Sequence, residues 1–234
     1  MRPWSPIPID DNAEPLTELP SGLRRIEPHP YQRLGAPYGQ LGSPFRLRAG
    51  VVQRLLRAEA LLRVEQPHCC LAIFDAWRPL AVQQFMVDHA IAAECRRRGI
   101  DPDRPNQLRE QVVAEVGRFW APPSADPATP PPHSTGAAVD LTLADDSGGL
   151  LAMGGEIDAI GPVSEPDHHS EAARLEPDAE AACWHRRRQL LRRVMVGAGF
   201  AQHPNEWWHF SHGDQLWAWR TAEPRAIYGR APEG

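Results

Sequence analysis

The chain has no lysine, since all 25 basic residues are arginine. That excludes Schiff-base and lysine general-base chemistry. Cysteine is scarce. Cys69, Cys70, Cys95 and Cys183 form no C-x-x-C pair, so neither a cysteine zinc cluster nor a disulfide framework is expected. No apolar run approaches the roughly 20 residues needed to span a membrane. Met1–Asp11 lacks the basic start and apolar stretch of a secretory signal, and the expected location is the cytoplasm. Positive charge is not in excess either. A net charge of -5 gives no general attraction to nucleic acid or anionic lipid. What is present is ordinary for a globular protein: 234 residues, 42% hydrophobic, enough to bury the core of one domain.

Residues 1–45 are rich in Pro and Gly and read as an extended entry segment. Helical spacing then appears at Val51, Leu55, Ala58 and Leu62. The run from Cys70 to Asp75 reads as a buried strand, and helices are expected over about Leu80–Arg98 and Gln107–Trp120. Six prolines make Ala121–Pro132 a loop. Ala137–Leu143 alternates, with Val139, Leu141 and Leu143 on one face and Ala138, Asp140 and Thr142 on the other. The apolar face seeks the core, so Asp140 is presented to the opposite, polar side. Residues 145–180 are acidic and read as a long surface excursion without regular structure. Leu190, Leu191, Val194, Met195 and Ala198 form the stripe of a last helix, with Gly199 as its C-cap. Asn205–Phe210 reads as a strand or strand end. The chain is thus expected to be one domain of mixed α and β.

Two stretches concentrate metal-ligand chemistry: His133-Ser-Thr-Gly-Ala-Ala-Val-Asp140 and Glu206-Trp-Trp-His209. Two histidines and a carboxylate leave a fourth zinc position open to water. Gly136 lets the backbone turn between the first two ligands. Glu206, three residues before His209, is placed to take a proton from that water and return it to a leaving amine. Flanking tryptophans would desolvate it and raise its pKa. Taken singly, each residue is as easily a satisfied core histidine, a capping aspartate or a solvated charge; the spacing is what joins them. A non-haem iron facial triad also uses two histidines and a carboxylate, but does not need Glu206. A zinc-bearing binding module without catalysis needs neither Glu206 nor Arg78. Trp207 and Trp208 are expected in the core or pocket wall. His203, His212, His168 and His169 are expected to support the site or lie on the surface.

These two motifs, with Phe74-Asp-Ala-Trp-Arg-Pro79 before them, resemble the signatures of the D-alanyl-D-alanine dipeptidases, within the wider zinc D,D-peptidases. The likeness runs from about Tyr31 to Gly229. It implies an α+β fold: a single domain over 1–234, whose small antiparallel sheet carries the zinc site between helices. It implies one Zn2+ held by His133, Asp140 and His209, with Glu206 as the base. The substrate would be the D-Ala-D-Ala dipeptide, or for a related D,D-carboxypeptidase a longer peptide. It makes Arg78 the residue that stabilises the tetrahedral intermediate, as a fixed guanidinium facing an oxyanion can. A structural ion pair with Asp75 is the other role open to Arg78. Met153-Gly-Gly-Glu-Ile-Asp158 resembles the loop that supplies an aspartate for the substrate ammonium, which makes Asp158 the candidate and Glu156 its competitor. One position departs from the pattern. The vancomycin-resistance members carry serine two residues before the first zinc histidine, and here that residue is Pro131. Recognition of the substrate carboxylate then falls to other groups.

Overall fold

The computed structural model describes residues 2–39 and 42–232. In chain order its elements are β1 (Leu16–Glu18), β2 (Arg24–Arg25), α1 (Pro30–Arg33), β3 (Arg46–Arg48), α2 (Ala49–Glu65), β4 (Cys69–Asp75), α3 (Leu80–Arg97) and α4 (Gln107–Phe119). After the proline loop come β5 (Ala138–Asp145), α5 (Ser170–Leu175), α6 (Glu180–Gly197), β6 (Ala201–Gln202), β7 (His209–Ser211) and α7 (Gln215–Thr221). The five-stranded sheet has the order β2-β4-β5-β7-β6, and β1 pairs with β3 in a separate two-stranded ribbon. As expected, β5 and β7, which carry Asp140 and His209, pair antiparallel with each other and with β4 and β6, and β2 runs parallel to β4 at one edge.

The apolar face of the sheet makes the main core. Leu71 and Ile73 of β4 and Val139, Leu141 and Leu143 of β5 pack with Leu55, Ala58 and Leu62 of α2 and Leu191, Val194 and Met195 of α6. Each fully buried Leu or Val of this kind contributes about 1.5–3 kcal/mol relative to exposure. A second cluster joins α3 and α4 through Val82, Met86, Val112 and Val116 to Tyr31, Tyr38 and Trp120. Helix boundaries follow local chemistry. Asn106 caps α4 by accepting from the Arg109 N–H at 2.9 Å, and Asp214 caps α7 by accepting from the Trp217 N–H at 2.8 Å.

Three expectations are modified. Residues 1–45 are not only an entry segment, because they form β1, β2 and α1. The stretch 145–180 contains α5 and a 3-10 turn at Pro162–Ser164. It is pinned by Arg188 of α6, whose guanidinium donates to the carbonyls of Met153 at 2.7 Å, Glu165 at 2.9 Å and Val163 at 3.0 Å. Glu206 precedes the strand, which starts only at His209. Among the described residues no helix is long and apolar enough to cross a membrane.

The feature that positions the site is a bulge in β4. Ile73 pairs with Leu141, yet the next pair is Asp75 with Asp140, so Phe74 is the extra residue. Strict alternation would send Asp75 to the core face; one inserted residue returns it to the side of Asp140. Asp140 in turn pairs with His209 of β7. Asp75, Asp140 and His209 therefore lie side by side across three adjacent strands.

Candidate metal centre and substrate cleft

His133 sits on a 3-10 turn, Pro132–Thr135, which closes with Gly136 at φ 72. A Cβ at Gly136 would lie 2.3 Å from Leu16 Cδ2, so glycine serves both the turn and the close approach. The turn is laced to the Ala76-Trp-Arg-Pro79 segment. His133 Nδ1 donates to Ala76 O at 2.7 Å, the Arg78 N–H donates to His133 O at 3.3 Å, and Ser134 Oγ donates to Arg78 O at 2.7 Å. One short lattice of bonds thus places His133 and Arg78 together.

Three ligand atoms converge. His133 Nε2 lies 3.1 Å from Asp140 Oδ2 and 3.2 Å from His209 Nδ1, and His209 Nδ1 lies 3.0 Å from Asp140 Oδ1. All three residues are buried. With His133 Nδ1 donating to the Ala76 carbonyl, Nε2 is the ring atom that faces Asp140 and His209 Nδ1 and is placed to be a ligand. Ligands about 2.0–2.1 Å from a tetrahedral zinc stand about 3.3 Å from one another, close to the spacing here. The donor set fits a zinc ion, and the bond from His133 to Ala76 is the outer support that ligating histidines ordinarily have.

Glu206 stands on the turn between β6 and β7, beside Trp207 and Trp208, whose rings meet edge-on at 5.4 Å. Its Oε2 is 3.7 Å from His209 Nδ1, and its Oε1 is buried without a hydrogen-bond partner among the described residues. Burial first, then the negative Asp140, push this carboxyl up to about 8. A divalent cation at the ligand triad would draw it back towards the ionised form, which a base requires.

Arg78 is buried and fully engaged. Its Nε and Nη2 donate to Asp75 Oδ2 at 3.0 and 2.7 Å, its Nη1 to Gln83 Oε1 at 2.9 Å, and its Nη2 also reaches Tyr31 Oη at 3.3 Å and Asp140 Oδ2 at 3.4 Å. Both arrangements open to Arg78 therefore coexist: it pairs with Asp75 and also borders the ligand triad. Asp75 further accepts from His29 Nε2 at 3.0 Å and Tyr38 Oη at 3.1 Å. Burial alone would raise its pKa, but Arg78 and His29 outweigh it and hold the carboxyl at about 2.

Asp158 lies in the same cleft, at φ 66, a left-handed conformation that costs a non-glycine residue of order 1 kcal/mol. Tyr31 Oη donates to its Oδ2 at 2.8 Å. Burial, reinforced by Asp140, raises it to about 7. Glu156 is exposed and lines a different cavity. The cleft is walled by Phe119, Trp120 and Trp208. Of the other histidines, His203 adjoins Glu206, with Nδ1 3.4 Å from Oε1, whereas His212 bonds Gly199 O and His169 bonds Gly154 O, away from the triad.

Sequence reasoning passed over Asp75 as a hub, together with His29, Tyr31, Tyr38 and Gln83. The only signal for Tyr31 and His29 was a pair of polar aromatics flanking Pro30 in an otherwise featureless segment.

Comparison with known proteins gives consistent findings. The family model described as D-ala-D-ala dipeptidase matches residues 24–226. A D-alanyl-D-alanine dipeptidase of Synechocystis is 46% identical over 98% of this chain and 97% of its own length. One from Streptomyces coelicolor is 34% identical over 60% of this chain and 61% of its own. A solved structure of a vancomycin-resistance D,D-pentapeptidase in complex with Zn(II) covers 89% of this chain and 88% of that one, with 17% identity and a TM-score of 0.47.

Proposed function

The chain belongs to the D-Ala-D-Ala dipeptidase family, and on that premise we propose that it hydrolyses D-Ala-D-Ala to free D-alanine with one zinc ion held by His133, Asp140 and His209. The observation that carries this reading is the convergence of the three ligand atoms beside Glu206, whose Oε1 is buried and makes no hydrogen bond among the described residues.

When bound, zinc supplies a Lewis acid and a water of lowered pKa. The protein's own groups do the rest. Glu206 accepts the proton of the attacking water and later delivers it to the departing amine, so that the C–N bond breaks without expelling an amide anion. Arg78, locked by Asp75 and Gln83, presents Nη2 at the edge of the triad, where negative charge develops on the former carbonyl oxygen. Asp158, ionised, receives the free ammonium of the substrate and so favours a dipeptide over a longer chain. Tyr31 fixes that carboxylate by its hydrogen bond.

A D,D-carboxypeptidase would place an acylated nitrogen, not an ammonium, beside Asp158, and a buried carboxylate there argues against it. A zinc module without catalysis would leave Glu206 without purpose, and an iron oxygenase would not need it. The test is release of D-alanine from D-Ala-D-Ala by zinc-loaded protein, with L-Ala-L-Ala, N-acetyl-D-Ala-D-Ala and Glu206→Ala as controls. We expect turnover of the free D,D dipeptide alone. Glu206→Ala should keep zinc and lose about 10²–10⁴-fold in kcat. Substantial activity in that variant would remove Glu206 from the mechanism.

A further inference from the structure

A free dipeptide carries a carboxylate as well as an ammonium, and the residues discussed so far leave the carboxylate without a partner. Pro131 offers no side-chain donor. Arg78 is committed to Asp75, Gln83, Tyr31 and Asp140. Gln83 gives its amide N–H to Ala121 O at 2.6 Å.

One other guanidinium lines the cleft among the described residues, that of Arg2. Its hydrogen bond goes to Gly117 O at a long 3.4 Å, and no ion pair joins it to a carboxylate of the described residues. It is half-buried, so this charge is partly desolvated and has donors to spare. The arm that carries it is fixed. The Ser5 N–H closes a turn on Arg2 O at 3.0 Å, and Gln215 Nε2 donates to the carbonyls of Ser5 and Ile7 at 3.2 and 2.6 Å. The Arg2 guanidinium lies over the Trp4 ring at 5.4 Å, and Trp4 is buried edge-on against His203 at 5.5 Å. Arg2 is thereby held at the His203–Glu206 end of the cleft, while Asp158 is held by Tyr31 beside Arg78.

The reaction itself says which end is which. Glu206 protonates the departing amine, so the departing residue lies on the Glu206 side, and that residue bears the free carboxylate. Resting on the dipeptidase reading above, we propose that Arg2 receives the α-carboxylate of the departing residue and so takes the place of a side-chain donor at position 131. Asp158 and Arg2 then clamp the two ends of the zwitterion.

The test compares D-Ala-D-Ala, read as KM, with its C-terminal amide, read as Ki for competition, in zinc-loaded wild type, Arg2→Ala and Arg2→Lys. Removing a charge-assisted contact should raise the Arg2→Ala KM on the order of 10- to 100-fold. The amide Ki should stay within about 3-fold, and Arg2→Lys should recover part of the loss. Parallel changes in KM and Ki, or no change in KM, would overturn the assignment to Arg2 and leave the dipeptidase reading standing. Wild-type protein that binds zinc but does not cleave D-Ala-D-Ala would overturn that reading, and this proposal with it.

Discussion

Replacing Asp75 by asparagine removes a charge at almost constant volume and so isolates what that charge does. Asp75 is fully buried and accepts from His29, Tyr38 and twice from Arg78. Asparagine keeps one acceptor and turns the other oxygen into an NH₂, which must face either the guanidinium or the His29 and Tyr38 donors. Arg78 would then be a buried cation whose remaining carboxylate is Asp140 at 3.4 Å, already shared with the ligand triad. Leaving one member of a buried pair unmatched costs about 3–5 kcal/mol. A second route gives a lower figure: a carboxyl held at about 2 instead of 3.8 is worth about 2 kcal/mol. Taking about 3 kcal/mol, the midpoint of thermal unfolding should fall by roughly 6–12 °C, measured on zinc-loaded protein at pH 7. The sign with pH is fixed as well. A depressed folded pKa contributes stability above the unfolded value, and that contribution is lost as pH falls from about 4 towards 2. The gap between wild type and Asp75→Asn should therefore narrow below pH 4. A loss under about 1 kcal/mol, or a gap unchanged between pH 7 and pH 3, would refute the reasoning.

Asp158→Asn should raise KM for D-Ala-D-Ala on the order of 10-fold or more while kcat changes less, because the contact is made in ground and transition states alike. The wild-type KM should climb towards acid pH, where Asp158 becomes a neutral acid that cannot pair with ammonium, with the onset below the value of about 7 that the metal-free cleft gives it, because bound zinc favours the ionised form; a climb of equal size in the asparagine variant would assign it elsewhere. Gly136→Ala should destabilise the fold by about 1–2 kcal/mol, since the residue sits at φ 72 and its Cβ would meet Leu16 Cδ2 at 2.3 Å. Zinc affinity should drop with it as His133 is displaced, and a variant with wild-type melting and metal content would show that the turn tolerates a side chain.

What the sequence made legible follows from what leaves a periodic trace. The alternation of Ala137–Leu143 marked β5 and put Asp140 opposite Val139 and Leu141, and the stripe at Leu190–Ala198 marked the second half of α6. Its first half, from Glu180, is rich in arginine and left no stripe, because Arg188 is buried by its bonds to backbone carbonyls and its place over the Trp207 ring. His133, Asp140, Glu206 and His209 stood out by residue type and spacing, and the structure brings them together. Asp75 did not, because its face depends on the bulge at Phe74, and an inserted residue is invisible to a pattern of period two. Tyr31, His29 and Arg2 come from a Pro- and Gly-rich segment without periodicity, so no local pattern showed that Arg2 lines the cleft or that Tyr31 and His29 bond Asp158 and Asp75.

The charges of the cleft make a last argument for the metal. Asp75, Asp140, Asp158 and Glu206 are four carboxyls, and Arg78 and Arg2 are two guanidiniums. Without a further cation two of them are held low, Asp75 by Arg78 and His29 and Asp140 by His133 and His209. The other two are pushed up, Asp158 to about 7 and Glu206 to about 8, so each keeps a proton near neutrality. Adding a divalent cation brings the sum to zero with all four ionised, since four negative charges meet two guanidiniums and a charge of two. Zinc binding should therefore drive protons off Asp158 and Glu206, beyond any released by the ligands themselves. At pH 7.5 the expected release is about one proton per zinc, read by calorimetric titration in buffers of different ionisation enthalpy. The Glu206→Ala variant should release measurably less than wild type, because the carboxyl that holds its proton most tightly is gone. Equal release from the two proteins would mean that Glu206 is already ionised in the metal-free cleft, and the balance of charge drawn here would be wrong.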